Sequence, residues 1–93
     1  MSKDLIGRWN LSEAYRGDKK TQTLSGGYFS FTDTTLVTNI FGDSLVARYS
    51  LIKDEIVQHI PNEIRYKVIM NPDQSLALTT VINGLSFKMI LRR

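Results

Sequence analysis

Apolar and polar positions along the chain alternate in short runs. Trp9, Leu11, Glu13 and Tyr15 interleave with Arg8, Asn10, Ser12, Ala14 and Arg16. Leu45, Ala47, Tyr49 and Leu51 interleave with Val46, Arg48 and Ser50, and Ile64, Tyr66, Val68 and Met70 with Arg65, Lys67 and Ile69. A period of two sends successive side chains to opposite faces, so each run predicts a strand with one buried face. Residues 28–31 and 36–41 predict two more strands, 20–24 and 55–60 two short ones, and 76–82 and 85–91 a final pair. No segment of helical length carries a 3.6-residue apolar stripe. A single capped turn over residues 2–6, ended by Gly7, is the one helical expectation.

The runs are separated by turn residues: Arg16-Gly17-Asp18-Lys19, Gly26-Gly27, Asp33-Thr34, Gly42-Asp43, Lys53-Asp54, Pro61-Asn62, Asn71-Pro72-Asp73-Gln74 and Asn83-Gly84. The last is the strongest hairpin signal, because a two-residue turn of the favoured hand needs positive φ at both positions. Roughly eight or nine strands at spacings of about 8–12 residues is the pattern of an all-β sandwich or barrel. Short connections pair each strand with its sequence neighbour, and closing such a meander removes both free edges. The expectation is one all-β domain over residues 1–93, a small up-and-down antiparallel β-barrel of about eight strands.

Composition narrows the function classes. A hydrophobic fraction of 42% with nine aromatics supplies a core and argues against disorder. The chain has no Cys, which excludes disulfide and thiolate chemistry, and no apolar run of membrane-span length. His59 is the only His, so a multi-histidine metal site is excluded and any Ser-His-Asp triad would depend on it; near Pro61 it reads as structural. Glu13 falls on the inward parity of the first strand. A buried, proton-shifted Glu13 would be a general-acid candidate; the better readings are that the first strand bulges or that Glu13 lies at the solvated open end. Arg16-Gly17-Asp18 spells an adhesion tripeptide but is also ordinary turn chemistry. Arg48, Arg65, Lys67 and Lys88 share an outward parity, and such a basic face with Tyr and Phe nearby suggests an OB-like nucleic-acid binder, although a net charge of +3 is modest evidence for one. Most aromatics lie on the opposite parity, so a solvated exterior is the better reading and nucleic acid is not an expected partner. No enzyme activity, cofactor or metal is expected.

Gly7-Arg8-Trp9 opens the first strand. Leu5 to Trp9, Phe29-Ser30-Phe31-Thr32-Asp33, Arg48-Tyr49-Ser50-Leu51 and Asn83-Gly84-Leu85 follow in an order that resembles short bacterial lipocalin-like (calycin) domains. The likeness covers nearly the whole chain, although the helix and long loops of full-length lipocalins are missing. The resemblance implies that an Arg at the end of the last strand packs over Trp9 and closes one end of the barrel. Parity selects Arg93, and a bulge would substitute Arg92. It implies a non-enzymatic module binding a small apolar ligand in an interior lined by Phe29, Phe31, Tyr49, Leu51, Tyr66, Val68, Met70, Phe87 and Met89, with the Tyr49 and Tyr66 hydroxyls orienting it. It also implies an exported mature domain, periplasmic or part of a lipoprotein, rather than a cytoplasmic one. The alternatives are a barrel filled by its own side chains, serving structure or protein interaction, and the OB-like binder.

Overall fold

The alternating runs are realised as strands in the computed structural model, which describes residues 5–22, 24–59 and 63–93. In chain order they are β1 (Gly7–Arg16), β2 (Lys19–Lys20), β3 (Tyr28–Phe31), β4 (Thr35–Thr38), β5 (Leu45–Ile52), β6 (Glu55–Gln58), β7 (Ile64–Met70), β8 (Leu76–Ile82) and β9 (Leu85–Arg92). From β3 to β9 each strand pairs antiparallel with its sequence neighbour, and β1 joins β3 on one side to β9 on the other. Eight strands therefore close an up-and-down barrel. The two-residue β2 lies outside the ring as a flap on Tyr15 and Arg16. β1 is the seam: Gly7 to Asn10 face β3, and Asn10 to Arg16 face β9.

The barrel has two unlike ends. Gly7, Arg93 and the turns at 32–34, 53–54 and 71–75 form the lower end. The β1–β2 hairpin tip, the 39–44 turn and Asn83-Gly84 form the upper one. Between them, Leu5, Trp9, Phe29, Phe31, Leu36, Tyr66, Leu78, Met89 and Leu91 are at most 2% exposed and make one core. Phe29 is its hub, stacked on Phe31 at 5.8 Å and edge-on to Tyr66 at 5.6 Å; Phe31 meets Tyr49 edge-on at 5.5 Å. Such pairs add about 0.5–1.5 kcal/mol each beyond the area they bury.

The pairing settles the alternatives for Glu13 and corrects the sequence reading in three places. On β1 the register slips between Leu11, opposite Leu91, and Glu13, opposite Ile90, so Ser12 is the extra residue of a bulge. The phase flips there. Ala14 turns in at 2% exposure, while Glu13 accepts a 2.7 Å hydrogen bond from the Tyr15 hydroxyl, raising that phenol's pKa. The small side chain goes where a carboxylate would have lost its water. Strand β4 stops at Thr38, not Phe41, because Asn39 clips the chain: its Oδ1 accepts from the Tyr28 N–H at 2.9 Å and its Nδ2 donates to the Gly26 carbonyl at 3.2 Å. The Gly42 N–H then returns to the Asn39 carbonyl at 3.1 Å, which leaves Ile40 and Phe41 at the upper end. The short strand expected over 20–24 shrinks to Lys19–Lys20 before a turn in which the Gly27 N–H donates to the Leu24 carbonyl at 2.9 Å. Met70, expected inside, is 38% exposed, because β7 ends with it at the lower rim. The expected continuation of β6 to Ile60, the Pro61-Asn62 stop and most of the 2–6 turn lie outside the described residues.

The 71–75 turn is held by one carboxylate. Asp73 Oδ1 accepts from the Ser75 N–H at 3.0 Å and the Ser75 hydroxyl at 2.6 Å, while Oδ2 accepts from Arg92 at 2.9 Å. These bonds, those from Ser75 first, hold its pKa down at about 2 against an ordinary 3.8. A depressed folded-state pKa stabilises the fold above the ordinary value, and that contribution is lost as pH falls through the folded one. Asp73→Asn should therefore lower the urea midpoint at pH 6, and the gap to the unaltered protein should shrink steadily between about pH 4 and about pH 2. An unchanging gap over that window would show that the carboxylate charge is not what holds the turn.

Candidate functional site

At the lower end the chain builds a plug. Trp9 is 1% exposed, and its indole N–H donates to the Leu5 carbonyl at 2.8 Å. The Arg93 guanidinium lies over the indole with its carbon 4.2 Å from the ring centroid, and it also donates to the Ile6 carbonyl at 2.9 Å. Gly7 has φ +119°, and a Cβ there would come within 2.7 Å of an Arg93 nitrogen. Gly7, Trp9 and Arg93 are thus one arrangement: glycine supplies the backbone angle and leaves space for the arginine. Of the two C-terminal arginines, parity names the right one. Arg92 points away and pairs with Asp73.

Above the plug, rings pack against one another across the barrel centre. Six of the expected ligand-contacting residues, Phe29, Phe31, Tyr49, Tyr66, Val68 and Met89, are buried together in the core, with Leu51 half-buried against them. The two phenols that were to orient a ligand are engaged. Tyr49 donates to the Thr32 carbonyl at 2.6 Å, and Tyr66 donates to Gln58 Oε1 at 2.9 Å. Burial pushes the Tyr66 phenol pKa far up. Burial, helped by the charge of Asp33, raises that of Tyr49, so both stay neutral donors. Gln58 is fully buried, and its Nε2 has no hydrogen-bond partner among the described residues. Sequence reasoning missed Gln58, although a polar residue on the parity of the inward Ile56 was the available signal.

Open space lies at the upper end. Leu24, Ile40, Phe41, Ile82, Phe87 and Met89 line a cavity of about 130 Å³. Phe41 and Ile82 continue into a wider recess of about 710 Å³, whose wall includes Leu45, Ile64 and Gln58 and whose rim carries Asp43 and Glu63. Small-molecule sites are typically 300–1,000 Å³, apolar, with a few placed polar groups. Of the sequence-predicted ligand residues, Phe87 and Met89 line this mouth. Leu24, Ile40 and Phe41 join it through the early end of β4 and the Leu24–Gly27 turn.

Elsewhere the chemistry is sparse. The exposed His59 Nε2 lies 2.8 Å from Ser50 Oγ on the outer face, and among the described residues no carboxylate bonds that histidine. Among the described residues no group of three His, Cys, Asp or Glu side chains could hold a metal ion. On the outer surface Arg65 is paired with Glu55 at 3.3 Å and Glu63 at 3.8 Å, while Arg48, Lys67 and Lys88 are exposed. Arg16, Gly17 and Asp18 sit exposed at the β1–β2 turn, where Gly17 takes φ +62° and donates to the Ser86 carbonyl at 2.9 Å.

Fold and ends together define a small closed antiparallel β-barrel, plugged below and, among the described residues, recessed above. No family model and no curated protein matches the chain. Among solved structures it is similar to an uncharacterised protein from Bacteroides eggerthii, at 18% identity and a TM-score of 0.64, over 96% of this chain and 98% of that one. At that identity the likeness speaks for the fold alone.

Proposed function

We propose that this barrel is a non-enzymatic, lipocalin-like binding module whose ligand is a small, largely apolar molecule held at the upper mouth. The observation that carries this reading is the asymmetry of the ends. One is sealed by Trp9 and Arg93, while the other gathers Leu24, Ile40, Phe41, Ile82, Phe87 and Met89 around open space. The filled centre moves the ligand from the deep interior to the rim, where Phe41 is 42% exposed for want of a cover. The exported location implied by the resemblance belongs to the same proposal.

Nucleic acid has no role in this reading, because Arg65 is neutralised by two glutamates and the core rings face inward. Titrating an environment-sensitive apolar dye should give saturable enhancement, and Phe41→Ser should weaken it several-fold while leaving the thermal midpoint nearly unchanged. Two results would count against the proposal. One is a dye response indifferent to Phe41. The other is salt-dependent binding of single-stranded oligonucleotides at ~0.15 M salt, where nonspecific phosphate contact is largely lost.

The filled centre also supports a second reading, in which the barrel is a structural or protein-interaction module. A native intact mass showing self-association that Phe41→Ser abolishes, with no dye response, would favour it.

A further inference from the structure

Among the described residues four polar side chains are buried, Thr38, Gln58, Ser75 and Thr80, and three of them are fully accounted for. The Thr38 hydroxyl donates to the Tyr28 carbonyl at 2.8 Å, Thr80 to the Arg65 carbonyl at 2.7 Å, and Ser75 to Asp73 at 2.6 Å. Gln58 differs. Its Oε1 accepts from Tyr66, but its Nε2 has no acceptor among the described residues. A buried donor left unmet costs free energy comparable to a lost hydrogen bond, and native structures keep few of them. An apolar residue would avoid that cost only by leaving the buried Tyr66 hydroxyl without its acceptor, so Oε1 has a structural task and Nε2 is the atom left to explain.

Its location supplies one. Gln58 lines the same recess as Phe41, Leu45, Ile64 and Ile82, alongside Asp43, Ser44, Glu63 and Asn83, so among the described residues the one unmet buried side-chain donor belongs to the mouth's mixed lining. The charged groups lining that recess are both acidic, Asp43 and Glu63, and although Glu63 is shared with Arg65 at 3.8 Å, a carboxylate ligand would meet Asp43 at the rim. We propose that the ligand of the mouth is an uncharged molecule with an apolar body and a carbonyl-type oxygen, and that the Gln58 amide donates to that oxygen. This inference rests on the mouth being the binding site and adds the class of ligand it takes. An anionic amphiphile such as a fatty acid is thereby disfavoured.

The test compares three probes of nearly equal size, acetophenone, ethylbenzene and benzoate, titrated into the ¹⁵N-labelled protein. Acetophenone should bind roughly two- to tenfold tighter than ethylbenzene, the range expected for one neutral hydrogen bond. It should also shift the Gln58 side-chain amide resonances, which ethylbenzene should leave in place. Gln58→Met should erase the preference for the ketone while ethylbenzene still binds, and benzoate should bind most weakly of the three. If acetophenone and ethylbenzene bind equally at the mouth, or benzoate binds best, the Gln58 inference falls while the mouth reading stands. If none of the three perturbs mouth residues, both fall. Should Gln58→Met fail to fold, the side-chain amide shifts of the unaltered protein decide alone.

Discussion

Trp9→Ala should destabilise the barrel by about 3–5 kcal/mol, a large share of the 5–15 kcal/mol that holds a typical domain. Three losses combine in that figure. The chain's single indole disappears from a site that is 1% exposed. The Leu5 carbonyl, beside a fully buried leucine, loses the N–H that met it at 2.8 Å. The guanidinium of Arg93 loses the ring beneath it, a contact worth about 0.5–1 kcal/mol at an exposed cation. Urea unfolding followed by circular dichroism reads the total without needing the lost fluorophore. A cycle of Trp9→Leu against Arg93→Ala isolates the last part, and the two single losses should exceed the double loss because one contact is shared. Strict additivity for Arg93, together with a Trp9 open to iodide quenching, would mean that the plug does not form.

The second large effect is at a residue with no side chain. Gly7→Ala should cost on the order of 1–3 kcal/mol from backbone strain alone, because φ +119° lies where L-residues are rarely found. The new methyl would also stand 2.7 Å from an Arg93 nitrogen, so the guanidinium must move off the indole or the strand must shift. Trp9 fluorescence should change as its cationic cover is displaced. Adding Arg93→Ala to Gly7→Ala should then cost little more, since the contact is already lost. A Gly7→Ala protein of unchanged stability and emission would show that glycine is there for neither reason.

The strands were legible because burying one face of a strand imposes a period of two, and nothing in β5, β7 or β9 interrupts it. Arg93 was legible for the same reason, as the next inward position after Leu91. What escaped the reading depends on partners far along the chain. The bulge at Ser12 exists because β1 must align with β9 through Leu91 and Ile90, and only that pairing moves Ala14 in and Glu13 out. A bulge was named as one outcome, but alternation alone could not choose it. The early end of β4 follows from Asn39 reaching Tyr28 and Gly26, a contact between segments that local pattern does not register. Met70 kept its inward phase but sits at the lower rim, where the barrel no longer covers it. The mouth was hardest to see, since Leu24, Ile40 and Phe41 belong to turns. Residues in turns carry no periodicity from which to read a direction.

Eight of the nine ladder pairings join segments that follow one another closely, but the seam between β1 and β9 matches Asn10 with Arg92 across nearly the whole chain. Local hairpins can form as soon as their two arms exist, whereas this closure must overcome the entropy of a long loop before it gains anything. The order of folding follows from that difference. An open curved sheet should assemble first, with β1 and β9 as its raw edges, and the plug should lock only when those edges meet. Until then the chain has the exposed strand edges that invite a neighbour to pair with them. The closing contacts of Trp9 and Arg93 form only once those edges have met, so they should act on kinetics mainly by slowing the reopening of the barrel into an unfinished sheet.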